Sequence, residues 1–334
     1  MTTTIIEALR AGLTEQLVSD DRVFVMGEDV GIGGSFHLTL GMREEFGAER
    51  VRDTPVSEAG FVGLAIGAAI AGMRPVVDFQ YADFLLCAAN QVIQHAAKMS
   101  AMSGGQVHVP IVLHAPTGAS GRGAQHANSI ENYFYGVPGL TVAVPSTAYA
   151  AKGVMTTALR SQDPVLIFGH KYLYGSKGRA LVEGDGVVSE VPDEPYEVPV
   201  GQARVVREGR HLTIVAALLM VHRATEAATR LAREGIEVEV IDMCWLSPMD
   251  TDTVVSSVER TGGVLIVEEG PGRGGWGGSV AAAVADRALT SLDLPVRRLT
   301  GPDEPLPFAP HLEKELIPDT DAIVEEVRRM LGGA

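Results

Sequence analysis

The segment that most constrains the fold is Asp53–Met73, which reads DTPVSEAGFVGLAIGAAIAGM. Within it the carboxylate of Glu58 directly precedes fifteen uncharged residues, from Ala59 to Met73. This run is too short to cross a bilayer, which needs about 20 residues. It has no polar face, so we expect a helix that is buried on all sides. Its glycines and alanines lower helix propensity, but they allow neighbouring elements to approach closely.

Glu58 lies in the predicted first turn of this helix, with Ser57 as the expected N-cap and Pro55 fixing the chain before it. Two interpretations stay open. The carboxylate can simply complement the helix dipole, as acidic residues in first turns commonly do. Alternatively, a carboxylate beside so apolar a segment is kept because it carries chemistry. Glu58 alone does not decide between a structural and a functional role.

Length and composition predict a globular protein with two domains. The 334 residues are 46% hydrophobic and 21% charged, which is enough for two full cores. The formal net charge of −15 argues against nucleic acid and anionic membranes as partners. It is compatible with a basic protein partner.

The two cysteines, Cys87 and Cys244, stand far apart in apolar stretches and form no metal or redox spacing. We therefore expect two buried thiols in a reducing compartment. The N-terminal sequence MTTTIIEALRAGLTEQL is amphipathic and lacks the features of a signal peptide. Together these features predict a cytoplasmic protein.

Apolar strands alternate with helical patterns along the chain, which is typical of an α/β fold with a mainly parallel sheet. In the first half we predict helices over 4–19, 37–46, 59–73, 82–102 and 149–159, and strands over 23–26, 76–79, 111–114, 140–144 and 165–168. In the second half we predict strands over 212–217, 237–241, 264–268 and 296–299, and helices over 221–234, 250–260, 278–289 and 321–331. A Pro-rich connection separates the halves, so we expect two domains in series, 1–190 and 191–334.

Several glycine-rich segments resemble known motifs but do not complete them. The segment Gly118–Arg122 lacks the last glycine of a nucleophile elbow, and Gly270–Gly278 lacks the residues of a phosphate-binding loop. Gly184-Asp185-Gly186 resembles half of a Mg²⁺–diphosphate motif, but no Asn-Asn pair follows it anywhere in the chain. No metal-ligand spacing such as HExxH is present.

Polar and aromatic side chains follow two of the predicted strands. His126 closes a Gly-rich loop after the strand at 111–114, while Asp78, Tyr81 and Phe84 follow the strand at 76–79. Ligands of α/β proteins bind at the carboxyl ends of parallel strands. Glu58, Phe84 and His126 would then supply an acid, an aromatic platform and a proton carrier at one sheet edge. A loop histidine is, however, more often simply solvated.

Across nearly its full length the chain resembles the β subunits of 2-oxo acid dehydrogenase E1 components, a family that includes pyruvate, branched-chain 2-oxo acid and acetoin dehydrogenases. The resemblance is carried in order by DTPVSEAGFVGLAIGAAIAGMRPVVDFQYADF, SGGQVHVPIVLHAPTGAS, AQH, PGLTVAVPSTAYAAKGV, DPVLIFGHKYLY, EGIEVEVIDMCWLSPMD, GGVLIVEEG and PVRRLTGPDEPLPF. It implies a pyrimidine-binding, parallel-sheet domain followed by a smaller α/β domain like the transketolase C-terminal domain.

The resemblance further implies an α2β2 heterotetramer that uses thiamine diphosphate and Mg²⁺, with the diphosphate and Mg²⁺ held mainly by the α subunit. Such an enzyme decarboxylates a 2-oxo acid and transfers the acyl group to the lipoyl group of an E2 dihydrolipoyl acyltransferase. Glu58 matches the glutamate that hydrogen-bonds the aminopyrimidine ring, and Val56 lies on the same loop. Phe84 matches an aromatic residue near that ring. His126 matches a histidine at the acyl-transfer end, where lipoyllysine enters.

Some members of the family also bind a structural K⁺ through backbone carbonyl groups. The matching positions in this chain are Ile111, Ala158, Leu159, Ser161 and Asp163. Ser161 and Asp163 replace the usual Asp and Asn.

The chain departs from the family pattern at several positions. His126-Ala127-Asn128 stands where His-Ser-Gln is common, and Met243-Cys244 replaces a usual Leu-Arg. The sequence is compatible with three functions: an E1 β subunit acting on pyruvate or a branched-chain 2-oxo acid, an acetoin dehydrogenase-type β subunit, and a non-catalytic assembly subunit. A nucleotide-binding α/β protein is a further interpretation that lacks a complete fingerprint.

Overall fold

The computed structural model describes residues 2–174 and 188–332, and the chain divides into two compact units. The first unit contains Met1–Thr117 and Phe134–Val200, and the second contains Gly118–Tyr133 and Gly201–Ala334. Gly184-Asp185-Gly186 lies outside the described residues.

A parallel sheet forms the centre of the first unit. The elements of this half of the chain are β1 (Thr2–Thr4), α1 (Ile5–Ser19), β2 (Val23–Gly27), α2 (Met42–Phe46), β3 (Val51–Asp53), α3 (Glu58–Ile70), β4 (Arg74–Asp78), α4 (Met99–Met102), β5 (Val112–Thr117), α5 (Glu131–Phe134), β6 (Thr141–Ala143), α6 (Ala148–Arg160), β7 (Val165–His170) and β8 (Val188–Glu190). Within the unit, the larger sheet has the order β6-β7-β5-β4-β2-β3, and each of these pairs is parallel. The predicted parallel α/β fold is confirmed.

Helix α1 begins where the sequence predicts it. Thr4 and Glu7 form a capping box, in which the Thr4 hydroxyl accepts from the Glu7 N–H and the Glu7 carboxylate accepts from the Thr4 N–H. The buried face of α1 includes Ile5, Leu9 and Leu13, and the helix packs against α6. These apolar side chains contribute to the core of the first unit.

The prediction that the Gly/Ala-rich helix is buried on all sides is wrong. Phe61, Val62, Ala65, Ile66 and Ala69 of α3 are buried, and the helix packs on β4 and on the helical turns that follow it. The opposite stripe is exposed within this chain, including Gly60, Gly63, Leu64, Gly67 and Ile70. Ser57 also makes no side-chain cap hydrogen bond. The apolar composition of Ala59–Met73 predicts a helix that avoids water, but it does not predict which faces of the helix are buried by elements of the same chain.

Two other predicted helices are shorter or broken. Only Met42–Phe46 of the segment 37–46 is α-helical, because His37 and Gly41 both adopt left-handed backbone conformations, with φ of 68° and 81°. The segment 82–102 is not one helix. It consists of a 3₁₀ segment (Ala82–Ala88), a π-helical segment (Gln91–Ala96) and the short helix α4. Cys87 in the first of these segments is exposed, contrary to expectation, whereas Cys244 is buried.

The second unit is built on a five-stranded sheet. Its further elements are β9 (Arg204–Arg207), β10 (Leu212–Ala216), α7 (Leu219–Ala232), β11 (Val238–Asp242), β12 (Trp245–Ser247), α8 (Thr251–Thr261), β13 (Val264–Pro271), α9 (Gly277–Arg287), β14 (Arg297–Gly301), α10 (Pro310–Leu316) and α11 (Thr320–Gly332). The sheet order is β14-β13-β10-β11-β9, with β9 antiparallel and the other pairs parallel. Helix α7 packs on α11 and α8 packs on α9.

The part of the predicted connection at Val188–Glu190 forms a strand of the first unit. Its β8 strand pairs antiparallel with β1, so that Thr3 lies opposite Ser189. Among the described residues, no helix has the length and apolar character needed to span a membrane.

Candidate active site

The carboxyl edge of the parallel sheet gathers the candidate residues of the first unit. Strands β2, β3 and β4 are neighbours and run in parallel, so their carboxyl ends share one edge. Glu28 follows β2, Val56 and Glu58 follow β3, and Phe84 follows β4. The structure therefore places three of the predicted residues at one edge and adds Glu28, which the sequence patterns did not single out.

Gly27 makes this edge compact. Its φ is 158°, and a Cβ atom at this position would lie 2.3 Å from the Asp78 carbonyl oxygen of the neighbouring strand. Only glycine permits this close approach. The tight junction sets the direction in which the chain leaves β2 and so fixes where Glu28 stands.

Two side chains hold the loop that follows β2. The Gln80 amide donates to Asp29 Oδ2 at 3.0 Å and accepts from the Ser35 hydroxyl at 2.6 Å. Asp53 Oδ1 accepts from the Gly31 N–H at 2.6 Å, and its other oxygen pairs with Arg43. These contacts join the loop to the ends of β3 and β4, so the edge is organised before anything binds there.

Glu28 and Glu58 form an electrostatically coupled pair. Burial raises the pKa of Glu28 above its ordinary value, and the negative charge of Glu58 raises it further. Glu58 itself is half-buried at the first position of α3, where the positive end of the helix dipole favours a carboxylate. A carboxyl group whose pKa is raised by burial and by a neighbouring charge is a candidate for proton-transfer chemistry, and Glu28 is such a group.

The edge carries buried polar atoms without partners in the described part of the chain. Glu28 Oε1, directly after β2, and Thr54 Oγ1, directly after β3, are buried and make no hydrogen bond there. Such atoms are rare in folded proteins and call for an explanation. Together with Glu58 and the ring of Phe84, they fit a planar, polar heterocycle such as the aminopyrimidine that the family resemblance implies.

Val56 and Phe84 differ in their surroundings. Val56 is 81% exposed within this chain. Phe84 is half-buried and packs edge-on against Tyr81, with ring centroids 5.8 Å apart. The ring centroids of Tyr81 and Phe36 are 5.5 Å apart. The Lys171 Nζ atom lies over the Tyr81 ring, 5.5 Å from its centroid. The orientation of Phe84 is thus supported by an aromatic cluster.

A buried polar triad lies behind this cluster. His114 Nδ1 is 2.7 Å from Asp78 Oδ1, and its Nε2 is 2.8 Å from the Tyr174 hydroxyl oxygen. All three side chains are buried, and burial raises the pKa of Tyr174. The ring centroids of Tyr174 and Phe36 are 5.6 Å apart. Residue types and spacing gave no signal for this triad, because its members come from three different strands or their ends.

His126 belongs to the second unit, at the end of a short 3₁₀ turn (Ala124–His126), and is half-buried. The loop around it is closed by Asn128, whose side-chain amide donates to the Ala124 carbonyl at 2.8 Å and whose backbone carbonyl accepts from the Gly118 N–H at 3.2 Å. Asn128 therefore has a structural use: it holds the turn that presents His126.

Acidic side chains hold the same loop on the second unit. The Ala119 N–H donates to Glu269 Oε1 at 2.5 Å, and the Gly121 N–H donates to Glu313 Oε1 at 2.7 Å. A cavity of about 380 Å³ adjoins the loop, lined by residues that include Ala127, Asn128, Glu269, Arg273 and Leu306. A cavity of this size admits a small molecule or a single extended side chain.

The five carbonyl groups expected to bind K⁺ all accept hydrogen bonds from this chain. Arg74 Nη1 donates to Leu159 O at 2.8 Å and to Ser161 O at 2.7 Å. Ile111 O accepts from the Val165 N–H at 3.0 Å, and Ala158 O accepts from the Ser161 N–H at 3.2 Å. Asp163 O accepts from the Ser161 hydroxyl at 3.0 Å. A carbonyl oxygen has two lone pairs, so one accepted hydrogen bond leaves room for a cation, and the K⁺ site stays a prediction.

The described residues also contain no group of three or more His, Cys, Asp or Glu side chains arranged to hold a metal ion. The roles of Glu58, Val56, Phe84 and His126 stay predictions, and each is placed only within its own unit.

Comparison with known proteins gives matches over almost the whole chain. Residues 2–177 match the family model of the transketolase pyrimidine binding domain, and residues 201–323 match that of the transketolase C-terminal domain. The 2-oxoisovalerate dehydrogenase subunit beta of Bacillus subtilis (strain 168) is 42% identical over 328 residues, which cover 97% of each chain. The pyruvate dehydrogenase E1 component subunit beta of Rickettsia felis is 41% identical over 332 residues, 99% of this chain and 98% of the relative.

A solved structure shares the fold. It is described as a split gene transketolase, inactive beta4 tetramer, and it matches with a TM-score of 0.77 at 24% identity. The match covers 99% of this chain and 98% of that one. The two transketolase-like domains in series are therefore confirmed at the level of the fold.

Proposed function

Since this chain belongs to the family of β subunits of 2-oxo acid dehydrogenase E1 components, we propose that it forms the pyrimidine-binding half of a thiamine diphosphate-dependent active site. The substrate is a 2-oxo acid, either pyruvate or a branched-chain one, and the acyl group passes to the lipoyl group of an E2 acyltransferase. The observation that carries the proposal is Glu58, coupled to Glu28 at the carboxyl edge of the parallel sheet.

The chain's own residues have separate roles in this proposal. Glu58 would hydrogen-bond a ring nitrogen of the aminopyrimidine and hold the proton that this bond requires. Glu28 would keep that proton within the carboxylate pair, since its own ionisation is opposed by burial and by Glu58. Phe84 would pack near the ring. When bound, thiamine diphosphate supplies the electron sink for decarboxylation.

The remaining half of the site comes from a second chain in this proposal. An α subunit would bind Mg²⁺ and the diphosphate, which agrees with the missing Asn-Asn pair. The assembly would be an α2β2 heterotetramer that works in the cytoplasm. His126, presented by the loop that Asn128 closes, would serve the acyl-transfer step beside the cavity of the second unit.

The test is the variant Glu58→Gln, produced together with its α subunit and assayed for decarboxylation of pyruvate and branched-chain 2-oxo acids. We expect turnover to fall by about 10²–10⁴-fold, because the amide cannot supply the acidic proton. Glu49→Gln is the matched control: it makes the same chemical change at an exposed site in the first unit, and turnover should be unchanged. Near-normal turnover of Glu58→Gln in an intact tetramer would contradict the assigned role.

A further inference from the structure

A further cavity lies within the second unit, at the amino edge of its parallel strands. Its volume is about 480 Å³, which is enough for a small molecule. The residues that line it include Arg210, His211, Ile236, Asp293, Leu294 and Leu331. None of these six belongs to the candidate site described above, so the cavity needs an explanation of its own.

Three helices end at this cavity. Helix α7 ends at Ala232, shortly before the lining residue Ile236. Helix α8 ends at Thr261, which itself lines the cavity, and α11 ends at Gly332, next to the lining residue Leu331. The C-terminal end of a helix carries a partial negative charge and favours a cation. The three helix ends therefore favour a cationic group in this cavity.

Asp293 adds a full negative charge at the end of α8. Gly262, the C-cap of that helix, has a φ of 71°, and a Cβ atom there would lie 2.6 Å from Asp293 Oδ2. The Gly262 carbonyl accepts from the Asp293 N–H at 2.8 Å and from the Leu294 N–H at 3.1 Å, which fixes this side of the cavity. The Asp293 carboxylate forms no ion pair or hydrogen bond within the described residues. A cation bound beside it would offset both this charge and the helix end.

The opposite charge comes from the segment that precedes β10. The Arg210 and His211 N–H groups both donate to Glu237 O, at 3.0 and 2.9 Å. The Arg210 guanidinium forms no ion pair within the part of the chain that the structure describes. His211 Nδ1 accepts from the Glu237 N–H at 2.8 Å, so the neutral ring carries its hydrogen on Nε2. A guanidinium and a ring N–H are donors that suit a carboxylate.

Apolar side chains complete the lining. Ile236, Leu294 and Leu331 are each half-buried, so part of their apolar surface still faces water. An apolar group of a ligand that covered this surface would gain free energy from its removal from water.

We propose that this cavity binds a free α-amino acid with an apolar side chain. Its ammonium group pairs with Asp293 beside the helix ends, and its carboxylate pairs with Arg210 and His211. A zwitterion satisfies both charged sides of the cavity, whereas a 2-oxo acid lacks the cation and an amine lacks the anion. The cavity lies in the unit that does not contain Glu58, and the inference does not rest on the proposed catalytic function.

The test is isothermal titration calorimetry of the full chain, without thiamine diphosphate, using four probes. L-Leucine carries both charges and an apolar side chain, and we expect it to bind with a Kd of about 1 mM or tighter. The other probes each lack one feature: 4-methyl-2-oxopentanoate lacks the ammonium group, 3-methylbutylamine lacks the carboxylate, and glycine lacks the apolar side chain. Each of these three should bind at least about tenfold more weakly than L-leucine.

Two variants and a matched control locate the binding. Asp293→Asn keeps the shape of the side chain but removes its charge, and it should weaken L-leucine binding by at least about tenfold. Arg210→Gln removes the opposite charge and should have an effect of similar size. Asp286→Asn makes the same change as the first variant at an exposed position of α9 that does not line the cavity, and binding should be unchanged. The Tm of Asp293→Asn without ligand should not fall, because the substitution removes an anion from a helix C-terminus.

Three results would overturn the inference. The first is an absence of L-leucine binding at up to about 10 mM. The second is binding of any of the other three probes that is as tight as that of L-leucine. The third is an Asp293→Asn or Arg210→Gln chain that binds L-leucine as tightly as the Asp286→Asn control. None of these measurements depends on an α subunit or on enzymatic activity, so their failure is distinguishable from failure of the proposed function.

Discussion

At the residue scale, Glu28 is a carboxylate whose negative charge the fold disfavours. Its pKa is raised by burial and then by Glu58, while its Oε1 makes no hydrogen bond within the described residues. A raised folded-state pKa means that the protonated form is favoured by folding. Stability from this group is fully present below the ordinary pKa of 4.5 and is lost as pH rises through the raised pKa of the folded chain.

Glu28→Gln should therefore be more stable than the unsubstituted chain at pH 8, with the difference in Tm shrinking toward pH 4.5. The amide keeps the shape of the side chain but cannot ionise. Thermal unfolding followed by circular dichroism across this pH range measures the effect, and Glu49→Gln supplies the exposed comparison. If the difference in Tm between Glu28→Gln and the unsubstituted chain were the same at every pH, the fold would not oppose the ionisation of Glu28.

The sequence identified Glu58 through its contrast with the apolar run that follows it, and it identified Phe84 by its position after the strand at 76–79 and by resemblance. It did not single out Glu28, Asp78 as a partner of His114, or Tyr174. These residues come together only because parallel strands distant in sequence end at one edge or pair side by side. A periodic pattern reports which face of an element is apolar, but not which other element lies beside it.

At the scale of elements, Lys152 ties three parts of the first unit together. It is 2% exposed, and its ammonium donates to the carbonyls of Pro192 at 2.7 Å and Asp193 at 3.0 Å, both in the connecting segment. The same group pairs with the Glu15 carboxylate of α1 at 2.6 Å. One buried cation on α6 thus links that helix to α1 and to the segment that follows the sheet.

Lys152→Met should destabilise the chain by about 3 kcal/mol, since it leaves the Glu15 carboxylate and the connecting carbonyls without their buried partner. Urea unfolding measures this loss. Lys98→Met is the comparison, because the Lys98 ammonium donates to the exposed Gln94 side chain in an i,i+4 pair, and its cost should stay within about 0.5 kcal/mol. Equal costs for the two variants would show that Lys152 makes no special contribution.

Secondary structure could be predicted where local signals and tertiary packing agree. Helix α1 has its capping box, and most predicted strands appear within a few residues of their expected bounds. The segment 82–102 was predicted as one helix because turns of 3.0, 3.6 and more residues cannot be told apart over six or seven positions. The pairing of β1 with β8 had no local signal at all, since it joins segments far apart in the chain.

At the scale of the whole molecule, the proposed assignment leaves this chain with one half of a cofactor site. In that assignment the aminopyrimidine half would be built from Glu28, Glu58 and Phe84, and the α subunit would supply the Mg²⁺ site. Most of the affinity for a diphosphate comes from its charge and its metal ion. The proposed assignment therefore leaves most of the affinity for the charged end to the α subunit.

Calorimetry with thiamine diphosphate and Mg²⁺ should detect weak binding or none to the isolated chain. Adding the α subunit should tighten binding by at least about 100-fold, which corresponds to about 2.7 kcal/mol. Mg²⁺ omission serves as the control, because it should abolish the tight binding of the complex while leaving the weak binding of the isolated chain unchanged. Micromolar binding by the isolated chain would contradict the shared site.

The exposed stripe of α3 has a consequence for how this protein is made in a cell. Leu64 is 57% exposed and Ile70 is 44% exposed, on a helix without a charged residue after its first position. A newly folded chain would expose this apolar surface to the other proteins of the cell, and an exposed apolar surface promotes aggregation. Co-expression with a partner subunit would shorten the time for which this surface is exposed. The yield of non-aggregated protein should therefore be much higher when the two chains are expressed together.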